Sequence, residues 1–522
     1  MPSPPQQSAK KRVLIVNAFL DDARCPTRRP TTVLKAMGPP FLAGAFARDR
    51  NEVRLWDEQS SGPLEDRALL GWPDMLVLTG MTAAFDRMLH LAAYARTRNP
   101  SVRVVAGGPA IRTLPQYAAR FFDDCCLGDV EQMGEIAGSA FGPDHVDREM
   151  MPRYDLAYWL RSFGHVESTR YCNFRCSFCS MTAEDRPYQR YDLDVLRRQI
   201  EACGRRRNLL FIDNNFYGNN REHFLARLEL IGELRKRGWF RAFGALVTSD
   251  FFLRADNVEA ARRAGCEVLF CGLESFDAAQ LERFHKTQNK VLPQVELVRR
   301  CLEQGVLLVY GLIADVSSRR IADLQQELDF VTRCPEITLP TFVVLPIPFP
   351  GTPFFADLAR RGRLLPRTRL RDLDGTTLCI EPLDPIDEVA RFVRDLQTLR
   401  GHRWNVIRHA FGFLRRYGRK LSARQLAVAL ARDLALLGLP SLVRGGMAPL
   451  SALLGRRNLV RTHVSTTERL DRLYTPAFPV APDYRSWFLP TTIVGDDGRL
   501  VPHLADQLLG RFRELPATGT AR

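Results

Sequence analysis

The chain contains no run of about 18 uncharged apolar residues, so no membrane-spanning helix is expected. Its first residues, Met1 to Lys11, are mostly Pro, Ser and Gln followed by two lysines. The apolar centre of a secretory signal is missing there, which predicts a cytoplasmic protein. In such a reducing compartment the twelve cysteines are expected to chelate or to be buried rather than to form disulfides. Six of them, Cys203, Cys266, Cys271, Cys301, Cys334 and Cys379, show no Cys-x-x-Cys pairing, so they read as buried free thiols and not as a second metal centre. Acid is nearly absent from one region. Between Arg403 and Arg461 there are twelve Arg or Lys and a single acid, Asp433, which gives that region +11 of the formal +15. The charge therefore belongs to one part of the chain and not to the whole.

What is present is concentrated in Tyr171-Cys-Asn-Phe-Arg-Cys-Ser-Phe-Cys-Ser180. Cys172, Cys176 and Cys179 stand at Cys-x3-Cys-x2-Cys spacing, and soft thiolates on one short loop suit an iron–sulfur centre. Three thiolates leave one iron of a 4Fe–4S cluster open to a ligand that is not protein. Half of a zinc site is the other reading. Zinc would need a fourth Cys or His nearby, and Ser180 to Arg190 supplies none.

A length of 522 residues implies several domains, and 45% hydrophobic with 25% charged content is that of a globular protein. Strand patterns at Val13–Val16, Glu52–Asp57, Asp74–Gly80, Val102–Gly108 and Cys125–Asp129 alternate with helices such as Gly38–Ala47 and Met88–Arg98. That order predicts a doubly wound parallel sheet with ligands at the carboxyl ends of its strands. Residues 150–161 read as a linker. Six further strands follow: 165–170, 209–216, 243–247, 266–275, 306–314 and 341–346, the set expected of a partial parallel barrel.

The cysteine spacing, with Phe178 before the third cysteine, resembles the signature of the radical S-adenosylmethionine (SAM) enzymes. That resemblance implies that the open iron chelates the methionine part of SAM and that electron transfer yields a 5′-deoxyadenosyl radical. Phe178 is then expected near the adenine. Asp213, Asn214 and Asn215 fall where the superfamily holds the amino group, though the usual sequence has more acid there. Gly272, Glu274 and Ser275 match its Gly-x-Glu-Ser, with the acid on ribose or methionine. Pro350 and Gly351 match a segment near the adenine. The N-terminal pattern is similar to the cobalamin-binding domain found ahead of many such enzymes, which makes Thr79, Gly80, Gly107, Gly108 and Gly128 corrin-site candidates. Glycine lets the backbone approach a flat corrin. The Asp-x-His-x-x-Gly signature of an axial histidine is absent, and the first histidine is His90.

The expected architecture is α/β. It comprises a Rossmann-like cobalamin-type domain (12–149), a partial (β/α)6 TIM-like barrel (150–400) and a helical basic region with a Pro-rich tail (401–522). Helices are expected over 404–417, 421–439 and 450–459, with Val406, Ile407, Ala410, Phe413 and Leu414 on one stripe and Arg408, Arg415 and Arg416 outside it. The basic helices read as a solvated cap, a dock for an anionic or carrier-borne substrate, or a membrane-surface contact. Nucleic acid is not expected. The resemblance implies three cofactors, a 4Fe–4S cluster, SAM and cobalamin, an external donor of flavodoxin or ferredoxin type, and methylation of an unactivated carbon or phosphorus. Ring formation, rearrangement or carbon–heteroatom bond formation is the alternative, and a cobalamin or redox sensor the non-enzyme reading.

Overall fold

The apolar run Val13–Val16 lies inside strand β1, Lys11–Asn17, with all four side chains fully buried. A strand covered on both faces requires such a run. β2, Asn51–Asp57, instead alternates buried and exposed residues along most of its length, as an edge strand does. The sheet order explains both: β2-β1-β3-β4-β5, with β3 Met75–Thr79, β4 Arg103–Gly107 and β5 Asp124–Cys126, all parallel. The chain reverses its direction of winding between β1 and β3, the switch point at which doubly wound sheets bind ligands.

This computed structural model describes residues 9–19, 36–160, 162–290, 292–396, 402–436 and 476–514. They fall into two compact units, neither continuous in sequence. One gathers 1–160, 366–374 and 468–522; the other gathers 161–365 and 375–467. The expected helix at 450–459 and the chain from Pro516 lie outside the described residues.

In the first unit the helix Phe85–Arg98 is buried along its length from Phe85 to Ala95. The C-terminal tail explains this. Phe478 packs on Tyr94 with ring centroids 4.2 Å apart, Phe488 stacks on His90 at 4.5 Å, and the Thr491 N–H donates to Asp86 Oδ1. Burial beside Arg87 and Arg371 depresses the pKa of His90 to about 3.

The second unit holds six parallel strands in the order β13-β12-β11-β10-β9-β6. They are β6 Phe163–Val166, β9 Asn208–Phe211, β10 Ala242–Val247, β11 Cys266–Glu274, β12 Leu307–Ile313 and β13 Phe342–Val344. Sequential strands are spatial neighbours throughout, the winding of a partial barrel. The first strand does not run to Arg170 as expected. It stops at Val166, because the Ser168 N–H turns to Asp213 Oδ1 at 3.1 Å. Thr169–Arg170 (β7) then pairs antiparallel with Gln189–Arg190 (β8). β9 likewise ends at Phe211, so Asp213 to Asn215 sit on the loop beyond it.

The basic region forms helices Arg403–Tyr417 and Ala423–Leu436. Val406, His409, Phe413 and Tyr417 make the buried stripe, whereas Leu414 is 40% exposed. His409 Nε2 meets the Ile337 carbonyl at 2.8 Å, and the Tyr417 hydroxyl donates to the Glu336 carbonyl at 2.8 Å. These two polar anchors rotate the stripe away from the purely apolar one.

Candidate active site

The cysteine loop follows β7 at the carboxyl edge of the barrel sheet, and Tyr171 enters it at φ 61°. Two distant segments clamp it. The Ser177 N–H and hydroxyl both donate to the Phe284 carbonyl, and the Phe354 N–H donates to the Ser177 carbonyl. Cys176 is buried, while Cys172 and Cys179 are half-buried. Burial, with the charges of Cys176 and Cys172 beside it, pushes the Cys179 thiol up to about 12; burial also raises Cys172. Thiolates gathered on one short loop repel one another and call for a cationic partner. Among the described residues no three His, Cys, Asp or Glu side chains are gathered as ligands of one ion. A four-iron cluster makes a different demand, since each thiolate binds its own iron and the sulfurs stay apart. Three thiols on one loop suit that demand.

Around the loop stand residues that sequence reasoning missed. Gln288 Nε2 donates to Cys176 Sγ at 3.2 Å. Lys286 is buried, pairs with Glu274 Oε1 at 2.5 Å, and lies 5.8 Å from the centre of the Phe178 ring. Burial alone would lower the Lys286 pKa, but Glu274 and then Cys176 outweigh it and the ammonium is held. Asn289 Nδ2 donates to the carbonyls of Gly272 and Leu273 and locks this segment to β11. Asp250, just past β10, is buried with its pKa raised by burial, and its charge acts on Cys172. The only sequence signal for Asp250 was its place directly after a strand. For Lys286 and Gln288 there was none.

The expected SAM residues divide. Glu274 sits where the β11–β12 register shifts, in the left-handed region at φ 65°. A bulge there re-aims a side chain, and non-glycine residues hold that conformation only when their surroundings impose it. Lys286 imposes it. Gly272 makes the pair possible, since a Cβ there would lie 2.4 Å from Glu274 Oε1 and 2.8 Å from Lys286 Nζ. Phe178 packs on Phe284 with centroids 4.9 Å apart. Gly351, at φ 87°, turns the chain so that the helix Pro353–Arg360 starts beside Ser177. Pro350, just before that turn, is buried. Asn215 is buried and donates to Asn173 Oδ1 in the cysteine loop at 2.7 Å, whereas Asn214 is exposed. Asp213 is buried, accepts from the Ser168 hydroxyl at 2.8 Å and faces Arg227 at 4.0 Å. Ser275 points elsewhere: its hydroxyl donates to Glu327, which also pairs with Arg319. Asp213 and Ser275 thus brace the barrel.

In the other unit the five glycine-edge candidates gather at the carboxyl ends of β3, β4 and β5. Gly108, at φ 104°, lies against Gly80, where an added Cβ would be 2.6 Å from the Gly80 carbonyl oxygen. A Cβ added to Gly80 would in turn lie 2.8 Å from the Ala18 carbonyl oxygen. Thr79 pairs with Asn17, Gly107 with Cys126, and the Gly128 carbonyl accepts from Arg112 at 2.7 Å. Cys126 is buried, and burial pushes the Cys125 thiol up to about 11, so Cys125 offers no ready thiolate. Two glycines at the ends of adjacent strands leave a ridge of bare backbone, which suits a flat corrin. His90 lies inside a helix against Phe488 and not at this edge.

Comparison with known proteins agrees. The Radical SAM superfamily model matches residues 166–316 and the B12 binding domain model residues 29–137. The hopanoid C-2 methylase of Rhodopseudomonas palustris is 25% identical over 358 residues, 63% of this chain and 66% of that protein. The bacteriochlorophyllide d C-12(1)-methyltransferase of Chlorobaculum tepidum is 28% identical over 205 residues, 38% of this chain and 43% of that protein. The chain thus spans from under half to about two thirds of these curated relatives. Among solved structures, the radical SAM methyltransferase TsrM of Kitasatospora setae, with cobalamin and a [4Fe-4S] cluster, aligns with a TM-score of 0.53 at 15% identity. That alignment covers 72% of this chain and 83% of TsrM. The cobalamin-dependent SAM radical enzyme OxsB, with aqua-cobalamin and SAM, aligns with a TM-score of 0.56 at 14% identity, over 97% and 84% of the two chains. At these identities the structures establish the fold. The parallel barrel-like sheet with the three-thiol loop carries the Radical SAM match, and the glycine-edged doubly wound sheet carries the B12-binding match. The chain thus combines a match to the Radical SAM superfamily with a match to the B12 binding domain. The cofactors that these two matches imply are a 4Fe–4S cluster, SAM and cobalamin.

Proposed function

We propose that this enzyme methylates an unactivated carbon, or a phosphorus, of a small-molecule or natural-product substrate. When bound, the three cofactors supply an adenosyl-derived radical and a transferable methyl group. The chain's own residues do the positioning. Cys172, Cys176 and Cys179 hold the cluster by three thiolates. Glu274, re-aimed by the bulge, presents a carboxylate to SAM, with Phe178, Asn215 and the Pro350-Gly351 turn around it. Thr79, Gly80, Gly107, Gly108 and Gly128 give the corrin a flat backbone edge. In this reading residues 12–149 carry the corrin, 150–400 the radical chemistry, and 401–522 a basic accessory region. An external one-electron donor of flavodoxin or ferredoxin type completes the system.

The observation that carries the reading is the clamped three-thiol loop with Glu274 aimed from a bulge on the same carboxyl edge. Relatives named as methylases of hopanoid and bacteriochlorophyllide carbons support methyl transfer. The test is anaerobic incubation with reductant, SAM, cobalamin and small-molecule extracts. Methyl transfer yields 5′-deoxyadenosine, S-adenosylhomocysteine and a product heavier by one CH2. Deoxyadenosine without S-adenosylhomocysteine would overturn methylation in favour of ring formation, rearrangement or carbon–heteroatom bond formation.

A further inference from the structure

The helix Arg403–Tyr417 has one face fastened and the opposite face free of partners among the described residues. The fastened face is Val406, His409, Phe413 and Tyr417, each at most 3% exposed. Opposite it, at spacings of four, three and four residues, lie Trp404, Arg408, Phe411 and Arg415, which helical geometry places on one stripe. Trp404 is 75% and Phe411 72% exposed, and both arginines are exposed. No acidic residue occurs in this helix. Arg416 is different: it lies toward the fastened side and pairs with Glu336 at 3.0 Å. The next helix, Ala423–Leu436, continues the apolar character, with Val428 45% exposed.

Leaving a tryptophan and a phenylalanine in water is unfavourable, and alternating them with unpaired arginines on one stripe is not how a merely solvated face is built. Aromatic rings at the headgroup level and arginines on anionic lipids fit that stripe. An acidic protein would satisfy the arginines but leave the indole and phenyl rings to find apolar pockets. No helix among the described residues is long and apolar enough to cross a membrane, so the contact would lie on the surface. We infer that the Trp404–Arg415 face docks the enzyme on an anionic membrane surface, which would present an apolar substrate from the bilayer.

The test uses the full chain and vesicles of phosphatidylglycerol mixed with phosphatidylcholine. Wild type should co-sediment with anionic vesicles at low salt and much less with pure phosphatidylcholine. Arg408→Gln with Arg415→Gln should weaken that binding by about fivefold per arginine. It should also flatten the salt dependence, because the screening length falls from about 10 Å at 0.1 M to about 3 Å at 1 M. Trp404→Ala with Phe411→Ala should remove the binding that survives high salt. Brominated lipid should quench wild-type fluorescence more than that of Trp404→Phe. All of these side chains are exposed, so the fold should persist, and circular dichroism checks it. Wild type that stays in the supernatant, or variants that bind as wild type does, would overturn the inference. Salt-sensitive capture by an acidic protein without vesicle binding would overturn it too. Vesicle binding needs no turnover, so this outcome is independent of the methylation test.

Discussion

The two carboxyl edges, one on each sheet, are made from opposite materials. In the first unit the edge is backbone: an added Cβ would clash at Gly108 with the Gly80 carbonyl and at Gly80 with the Ala18 carbonyl. In the barrel the edge is charge and sulfur, with three thiols, a buried Lys286–Glu274 pair and a Gln288 N–H on Cys176. The difference matches what the two proposed sets of ligands need. A corrin brings its own metal, nitrogens and bulk, and needs room. A cluster and SAM bring open valences and charges, and need ligands and counter-charges.

The largest expected effect comes from removing the thiols. Replacement of Cys172, Cys176 and Cys179 by alanine should abolish essentially all bound iron and the visible absorbance of the cluster, while corrin retention stays. Full iron in that variant would sink the cluster assignment.

Lys286→Met comes next. It leaves Glu274 without its counter-charge, at a cost of about 3–5 kcal/mol for a broken buried pair, readable by denaturant unfolding. It should also make the cluster harder to reduce, since a nearby positive charge favours the more negative reduced state. A redox titration followed by electron paramagnetic resonance reads the midpoint. Gln288→Leu should move it the same way by less. Midpoints equal to wild type in both variants would show that the barrel edge does not tune the cluster.

Gly108→Ala sharpens the other half. Strain at φ 104° and the clash with Gly80 should cost about 1–3 kcal/mol and lower cobalamin retention on gel filtration, with iron unchanged. Corrin that does bind wild type should give a spectrum free of protein-nitrogen ligation, because the Asp-x-His-x-x-Gly signature is absent and His90 lies inside a helix against Phe488.

A further effect is shared by both units. Each buries a histidine whose pKa is lowered chiefly by burial: His90 to about 3 and His165 to about 4, from 6.5. Their neutral forms favour the fold, so the stabilisation is complete above about pH 6.5, and the effect is small only near neutral pH. It falls as the pH drops from 6.5 toward these values, by about 1.4 kcal/mol per pH unit per group, because only the unfolded chain then takes the proton. Melting at pH 7 and pH 5 should show the loss, and His90→Phe should reduce it. A melting temperature indifferent to pH over that range would remove the effect.

The sequence by itself determined what depends on a few neighbouring residues. The spacing of the three cysteines, the uninterrupted apolar core of β1, the alternation of β2 and the glycines at strand ends were all legible there. So were the two parallel sheets, because strand periodicity is local and its order along the chain restricts the topology. Tertiary structure alone decided what couples distant residues. Gln288 meets Cys176 across more than a hundred residues, and Lys286 reaches both Glu274 and the cysteine loop. Glu327 draws the Ser275 hydroxyl away from the site that its motif suggested. Phe488 covers His90, and Glu336 engages Arg416 while leaving Arg415 in solvent. In each case the side chain had several chemically reasonable partners, and only packing chose among them. A buried charge or donor takes whatever counterpart the fold brings within reach, and chain distance carries no record of that choice.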